Sequence, residues 1–475
     1  MDGRFEVRRE ELLAQAQVSA EDWGEVSARL ETFVWPFVGV LAEGAQRRHF
    51  VEYSAGLLST LERKTGEGIG DLYGQDRKQM QQFVGESPWE HAPLLQELAR
   101  QVGQRIGEAD GVIVFDPSAF AKKGTKSVGV ARQWSGRQGK IDNCQVGIYM
   151  GYVSRREHAL VNVRLYLPAE WTKDRARCRA AGVPDVVKFQ TRHEQALEML
   201  DESGSWLPHG WVAGDDEMGR CGPFREALRT RHERDLLAVP SNTLIRDADV
   251  PPPEYSGRGR PPKMPWQRVD RWCAALPESA WTTLDVRDGE QGPLRIDVTM
   301  CRVQARTPTG GTGPDTVLFS TVLFLTREHL SEGTFQQDYY LSNAAANTAL
   351  IEFARVAKSE HRIEECFQRG KSEAGLGDYQ VRHWLGWHHH QTLSLIAAWF
   401  LNEETRRGKT PDPRDDRPSS SPPDRGPHRT PTPIEHPDPR RRHRTTLAAT
   451  KRTRACPVVY TQLKGFDNEL AAAAA

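Results

Sequence analysis

Apolar positions recur at helical spacing through roughly the first hundred residues. Trp23, Val26, Leu30, Phe33 and Val34 form one stripe, and Leu57, Leu58 and Leu61 begin another. Ser87-Pro88 reads as the N-cap and first position of a further helix, with Leu94, Leu95, Leu98 and Val102 on its buried side. After residue 108 the period changes. Val112–Phe115, Gln145–Val153 and Leu160–Leu167 are short apolar runs of strand length. Glu194, Ala196, Leu197 and Leu200 mark a helix. A strand over Trp211–Asp215, a helix from Pro223 to about Arg231 and a strand over Leu236–Val239 complete the segment.

Three strands, then helix, strand, helix, strand is the element order of an RNase H-like domain. In that arrangement the first and fourth strands are neighbours. The expected fold class is therefore α/β: an RNase H-like catalytic domain with an inserted mainly-β domain, preceded by a helical N-terminal domain and followed by a disordered tail. The insertion is read from Thr282–Val286, Leu294–Val303 and Val317–Thr326, with turns at Asp288-Gly289 and in the Gly310–Pro314 cluster. Gly257-Arg-Gly-Arg-Pro-Pro-Lys263 is a basic linker, read either as a domain connector or as a segment lying on nucleic acid. A long helical pattern starts near Ala344, ends at Gly375-Leu-Gly377, and is followed by a last helix. The expected boundaries are 1–108 for a helical DNA-binding domain, 109–245 and 339–405 for the two parts of the catalytic domain, and 246–338 for the inserted β domain. Residues 406–475, with ten prolines between 411 and 439, form the tail.

Two of the strands run straight into an acid. Val112–Phe115 leads to Asp116, and Trp211–Gly214 leads to Asp215. A carboxylate at the end of a buried strand is costly unless it is used, and a divalent cation is the usual use. A structural aspartate capping a turn is the plain alternative for either residue alone. From Pro117 to Ile141 there are six basic residues and no acid: Lys122, Lys123, Lys126, Arg132, Arg137 and Lys140. Such a ribbon beside a metal-binding acid suits a polyanionic substrate. Glu364 supplies a third acid on the long helix. It shares a face with Lys371, seven residues on. A D, D, E set on an RNase H-like sheet is a two-metal phosphodiester site, and hard carboxylate oxygens suit two Mg²⁺ ions, or Mn²⁺.

Composition adds exclusions. Lys+Arg and Asp+Glu both number 64. Residues 409–475 carry 13 basic and 8 acidic side chains, so the rest of the chain is slightly acidic and nucleic-acid binding must come from local runs. The seven cysteines form no CxxC pair, which fits reduced thiols. The N-terminus is charged with no apolar core after it, and the longest apolar run, Leu393–Leu401, is too short to span a bilayer. The expected location is the cytoplasm, with the nucleoid, and not a membrane. His388-His389-His390 is a poor chelate, because consecutive helical residues diverge. Gly124-Thr-Lys-Ser127 lacks the spacing of a phosphate-binding loop.

These motifs resemble those of bacterial insertion-sequence DDE transposases, specifically the insertion-sequence seven-oh-one branch of the insertion-sequence-four superfamily. The resemblance is carried by Phe-Asp116-Pro-Ser-Ala-Phe, Arg132-Gln-Trp-Ser-Gly-Arg-Gln-Gly-Lys-Ile-Asp-Asn-Cys-Gln145, Arg164-Leu-Tyr-Leu-Pro-Ala-Glu-Trp171 and Trp211-Val-Ala-Gly-Asp215. Tyr340-Leu-Ser-Asn343, Arg362-Ile-Glu-Glu-Cys-Phe-Gln-Arg-Gly-Lys371 and Gly375-Leu-Gly-Asp-Tyr-Gln-Val-Arg382 extend it. It implies cut-and-paste transposition, with Asp116, Asp215 and Glu364 as catalytic metal ligands. Lys122, Lys123, Lys126, Arg132, Lys140, Lys371 and Arg382 would face DNA. The partners would be terminal inverted repeats and target DNA, engaged by a dimer on paired ends. The chain departs from the superfamily signature at two positions: Ala357 stands for Tyr, and Glu360 for Arg. A degenerate or domesticated relative that only binds DNA is the principal alternative, and a stand-alone RNase H-like nuclease the next. Trp134, Trp266, Trp384 and Trp387 are candidates for base stacking, against core packing.

Overall fold

Helices occupy the chain up to the first strand: α1 (Ala20–Val38), α2 (Gly44–Leu58), α3 (Gly66–Leu72), α4 (Arg77–Gly85) and α5 (Ala92–Ile106). The computed structural model describes residues 20–409 apart from 43, 75, 137–138, 252–253, 256, 258–263, 290–291, 307–319 and 330–333. Most of the 257–263 linker, the Gly310–Pro314 cluster, Arg137 and the tail from 410 onward therefore lie outside the described residues. The helix expected to start at Ser87 starts instead at Ala92, with Pro93 in its first turn. Trp89 is buried, and its indole donates to Phe83 O at 3.0 Å, which holds residues 87–91 outside the helix.

The strands are β1 (Val112–Ala121), β2 (Ala131–Ser135), β3 (Lys140–Val153), β4 (His158–Leu165), β5 (Trp211–Gly214), β6 (Asp235–Ala238), β7 (Leu244–Asp247), β8 (Gln267–Arg268), β9 (Thr282–Gly289), β10 (Gly292–Arg306), β11 (Ser320–His329) and β12 (Phe335–Ser342). They join in one mixed sheet in the order β2-β3-β1-β5-β6-β12-β11-β10-β7-β8, with β4 on β3 and β9 on β10. β1 pairs antiparallel with β3 and parallel with β5, and β5 pairs parallel with β6. The expected neighbourhood of the first and fourth core strands is thus present. Val112–Phe115 and Trp211–Gly214 are buried throughout, as strands covered on both faces must be.

The later strands were expected as a separate small sheet. They continue the main sheet instead, through a narrow seam: β12 meets β6 only at Tyr340↔Ala238 and Leu341↔Leu237. Asn343 clasps this seam. Its Oδ1 accepts from Asp235 N at 2.9 Å, its N donates to Asp235 Oδ1 at 2.8 Å, and its Nδ2 donates to Glu233 O at 2.7 Å. Beyond the seam a second, smaller core forms around Val269, Val303, Leu323 and Leu325.

The long helical pattern expected from Ala344 divides into α12 (Leu350–Ala357) and α13 (Ser359–Glu373), broken at Lys358. Earlier in the chain lie α6 (Ala169–Lys173), α7 (Arg175–Ala180), α8 (Arg192–Ser203), α9 (Asp216–Gly219), α10 (Gly222–Thr230) and α11 (Val269–Ala274), and α9 begins directly after Asp215. The last helix, α14 (Trp384–Lys409), includes the three histidines and packs on α2, α4 and α5. All three rings are buried. His389 stacks on Trp89 with ring centroids 3.4 Å apart, and its two nitrogens lie 2.9 Å from Val84 O and 2.8 Å from Trp89 O. His390 meets Tyr53 Oη at 2.8 Å and Gly375 O at 2.9 Å. These residues fasten the last helix to the first ones.

Candidate active site

Asp116 does not end its strand. β1 runs on to Ala121, paired with β3 alone, while the pairing with β5 stops at Phe115↔Gly214. Asp116 therefore sits where the strand loses one neighbour. Asp215, one residue beyond Gly214, caps the short helix after it: its Oδ1 accepts from Glu217 N and Met218 N, both at 3.1 Å. The cap orients the carboxylate and occupies one oxygen.

α13 lies against β1, β3, β4 and β5. Ile363 and Phe367 are its buried anchors. Glu364 lies on the outer part of this helix, 67% exposed, with His361 Nδ1 3.4 Å from its Oε2. Glu360, one turn earlier, is far less exposed and lies among acids. Burial and then the charges of Asp215, Glu364 and Asp338 push its carboxyl up to about 8. Asp116 is held well above the usual carboxylate range by burial first, and then by Asp215, Glu360 and Glu364, with Lys371 acting in the opposite direction. Asp215 rises to about 6, chiefly through burial, although its two backbone donors oppose the shift. Lys371 Nζ donates to Ser118 Oγ at 2.9 Å.

Sequence pattern singles out Asp116, Asp215 and Glu364, with Glu360 a departure from the superfamily signature. The structure brings Asp116, Asp215 and Glu360 into one electrostatic neighbourhood, with Glu364 at its margin. The signal was available, since Glu360 and Glu364 are one helical turn apart on a shared face. Among the described residues no three His, Cys, Asp or Glu side chains stand close enough to enclose a metal ion. The donor chemistry nonetheless fits a hard cation. Several carboxyl groups raise one another's proton affinity, and a divalent ion would relieve that repulsion.

The basic residues divide. Lys122 is half-buried. Its Nζ donates to Tyr379 O at 3.2 Å and lies 3.3 Å from the centroid of the Tyr379 ring, and burial lowers it to about 8. It is a packing residue. Lys123, Lys126, Arg132, Lys140 and Arg382 are exposed. Val128 N donates to Arg382 O at 2.9 Å, so Arg382 belongs to the same surface as the ribbon. Arg177, absent from the sequence reading, donates to Thr125 O at 2.9 Å and holds that ribbon from the other side. Of the tryptophans, Trp387 is buried and donates to Tyr379 Oη at 3.2 Å, whereas Trp134 is 58% exposed.

Comparison with known proteins gives three findings. A family model described as DDE superfamily endonuclease matches residues 36–293, more than half of the chain. The probable transposase for insertion sequence element IS701 of Microchaete diplosiphon is 25% identical over 243 residues, covering 50% of this chain and 59% of that protein. This chain thus aligns with less than two thirds of that relative's length. The cryo-EM structure of a piggyBac transposase synaptic complex with hairpin DNA aligns over 82% of this chain and 75% of that one. Its identity is 10% and its TM-score 0.36, too low to carry an argument.

Proposed function

The chain belongs to the DDE superfamily endonuclease family, and from that premise we propose that it is an insertion-sequence transposase that cleaves DNA at the ends of its element and joins them to target DNA. The observation that carries this reading is the pairing Phe115↔Gly214, which sets Asp116 and Asp215 side by side where the parallel pairing of β1 with β5 stops. That juxtaposition, with α13 laid across it, supports an RNase H-like catalytic core.

The family match stops at residue 293, short of both glutamates, so the third acid rests on α13 alone. We assign it to Glu364, with Glu360 beside it. Asp116, Asp215 and Glu364 would hold two Mg²⁺ or Mn²⁺ ions, which when bound supply Lewis-acid stabilisation to the attacking and leaving oxygens. The chain's own residues orient the substrate. Lys371, fixed by Ser118, offers a cation beside Asp116 for a phosphate of the cleaved strand. Arg382 and the exposed lysines of the ribbon hold phosphates further along the duplex. The helices before residue 108 are assigned to recognition of the terminal repeats, and a dimer would bring two ends together. No described helix is long and apolar enough to cross a membrane.

A reading in which the chain only binds DNA has one observation on its side: Glu360 stands where the superfamily carries Arg, and adds negative charge beside the site. The deciding experiment incubates the chain with the element's terminal inverted repeats and Mg²⁺. Nicking and joining by the wild type but not by Asp116→Asn supports the transposase. Equal binding by both, with no nicking by either, supports the binding-only reading. Cutting without end preference or joining supports a general nuclease.

A further inference from the structure

The hairpin β2–β3 presents a face that the site does not use. Register pairs Arg132 with Asn143 and Trp134 with Ile141, so these four side chains share its outer face, while Gln133 and Ser135 point inward and are buried. None of the four is acidic. Asp142 belongs to the other face, with Lys140 Nζ 3.3 Å from its carboxylate. Trp134 and Ile141 are 58% and 57% exposed. A cross-strand Trp–Ile pair left largely in water forgoes the burial that apolar surface favours. Asn143 does more than complete the row. Its Nδ2 donates to Lys122 O at 2.7 Å and to Gly124 O at 2.8 Å, which pins the loop bearing Lys123 and Lys126 beside the same face.

An exposed indole sharing a face with Arg132, beside a loop with two exposed lysines, matches one partner chemistry. Its flat apolar face accepts a base and its surroundings accept phosphates. We infer that the outer face of the β2–β3 hairpin is a docking surface for unpaired DNA, with one base stacked on Trp134 and the flanking phosphates on Lys123, Lys126 and Arg132. The inference rests on the proposed function and deepens it. Tyr149 pairs with Asp116, and Ile141 lies eight positions away on the same strand. The indole is therefore roughly 26 Å of strand from the catalytic acid, on the order of eight nucleotides of stacked DNA. A strand leaving the cleavage site can reach it.

The test measures binding of fluorescent oligonucleotides by the full chain without divalent cations, so that nothing is cut. Trp134→Ala should weaken binding of single-stranded DNA about tenfold or more, the scale of one base–aromatic stack. It should change binding of the matching duplex far less, and Trp134→Phe should retain most of the affinity. A 2-aminopurine placed along the strand should be quenched at one position by the wild type and not by Trp134→Ala. Thermal melting guards the result, since an exposed side chain can be removed without unfolding. If Trp134→Ala binds single strands like the wild type, or loses single strand and duplex equally, the inference is overturned. End cleavage by the wild type together with that outcome sinks the docking surface and leaves the proposed function standing. Trp134-dependent binding without end cleavage does the reverse.

Discussion

Phe115 pairs with Gly214, and the residue after each is an aspartate, so Asp116 and Asp215 are neighbours where the pairing of β1 with β5 ends, although 98 residues lie between them in the chain. Burial raises the proton affinity of both carboxyl groups, and the charges of Asp215, Glu360 and Glu364 raise that of Asp116 further.

Asp116→Asn should therefore keep the fold and DNA affinity while removing cleavage. It deletes a negative charge from a repelling group, so its melting temperature at neutral pH should equal or exceed that of the wild type. Nicking of terminal-repeat DNA should fall by about three orders of magnitude or more, the loss of several kcal/mol of transition-state stabilisation. Retained nicking would remove Asp116 from the site.

Stability should respond to pH with a definite sign. Asp215 rises to about 6 and Glu360 to about 8, both above their ordinary values. The folded state then binds more protons than the unfolded one, so this contribution is fully present below the ordinary carboxylate pKa. It is lost as pH climbs through about 6 and then about 8. Melting temperature should fall across that window, and Glu360→Gln should flatten the upper part of the fall. Millimolar Mg²⁺ should raise the melting temperature more at pH 8 than at pH 5. Identical pH profiles for wild type and Glu360→Gln would contradict the placement of Glu360 among the acids.

Gly219 secures the turn that carries Asp215. A Cβ there would lie 1.8 Å from Ala238 O on β6, a backbone atom that cannot turn aside. Gly219→Ala should destabilise the chain by about 1–3 kcal/mol or more and reduce cleavage by displacing the helix that Asp215 caps. Chemical denaturation and a nicking assay read the two effects separately. An unaffected variant would show that the turn has room to move.

His389 should behave as a core residue. Burial lowers it to about 4, despite two carbonyls within hydrogen-bond distance. His389→Ala removes the single N–H that the neutral ring can donate to one of those carbonyls and empties the space against Trp89. A loss of about 2–4 kcal/mol is expected, with no stabilisation of the wild type by added Zn²⁺. A zinc-dependent rise in melting temperature that His389→Ala abolishes would restore a metal role.

The order of strands and helices was legible because burial on both faces writes continuous apolar runs, as at Val112–Phe115 and Trp211–Gly214, and helices write a longer period. The acids at the ends of those runs were legible for the same reason: a charge abruptly ending an apolar run is conspicuous in one dimension. The basic ribbon was legible as charge, but its division was not. Lys122 and Lys126 are the same residue type four positions apart, and only the Tyr379 ring, 257 residues from Lys122, turns one of them into a packing residue. The exposure of Trp134, the capture of the inserted strands by the main sheet and the inward place of Glu360 share that origin. Each depends on which distant segment fills the neighbouring space, and local periodicity carries no record of that choice. What the sequence by itself determined is the element order, the two aspartates that close apolar runs and the charge of the ribbon, because these follow from local patterns of residue type. What only the tertiary structure decided is which glutamate lies among those aspartates and which cations and aromatics stay in water, because burial and charge coupling are set by contacts between parts of the chain hundreds of residues apart.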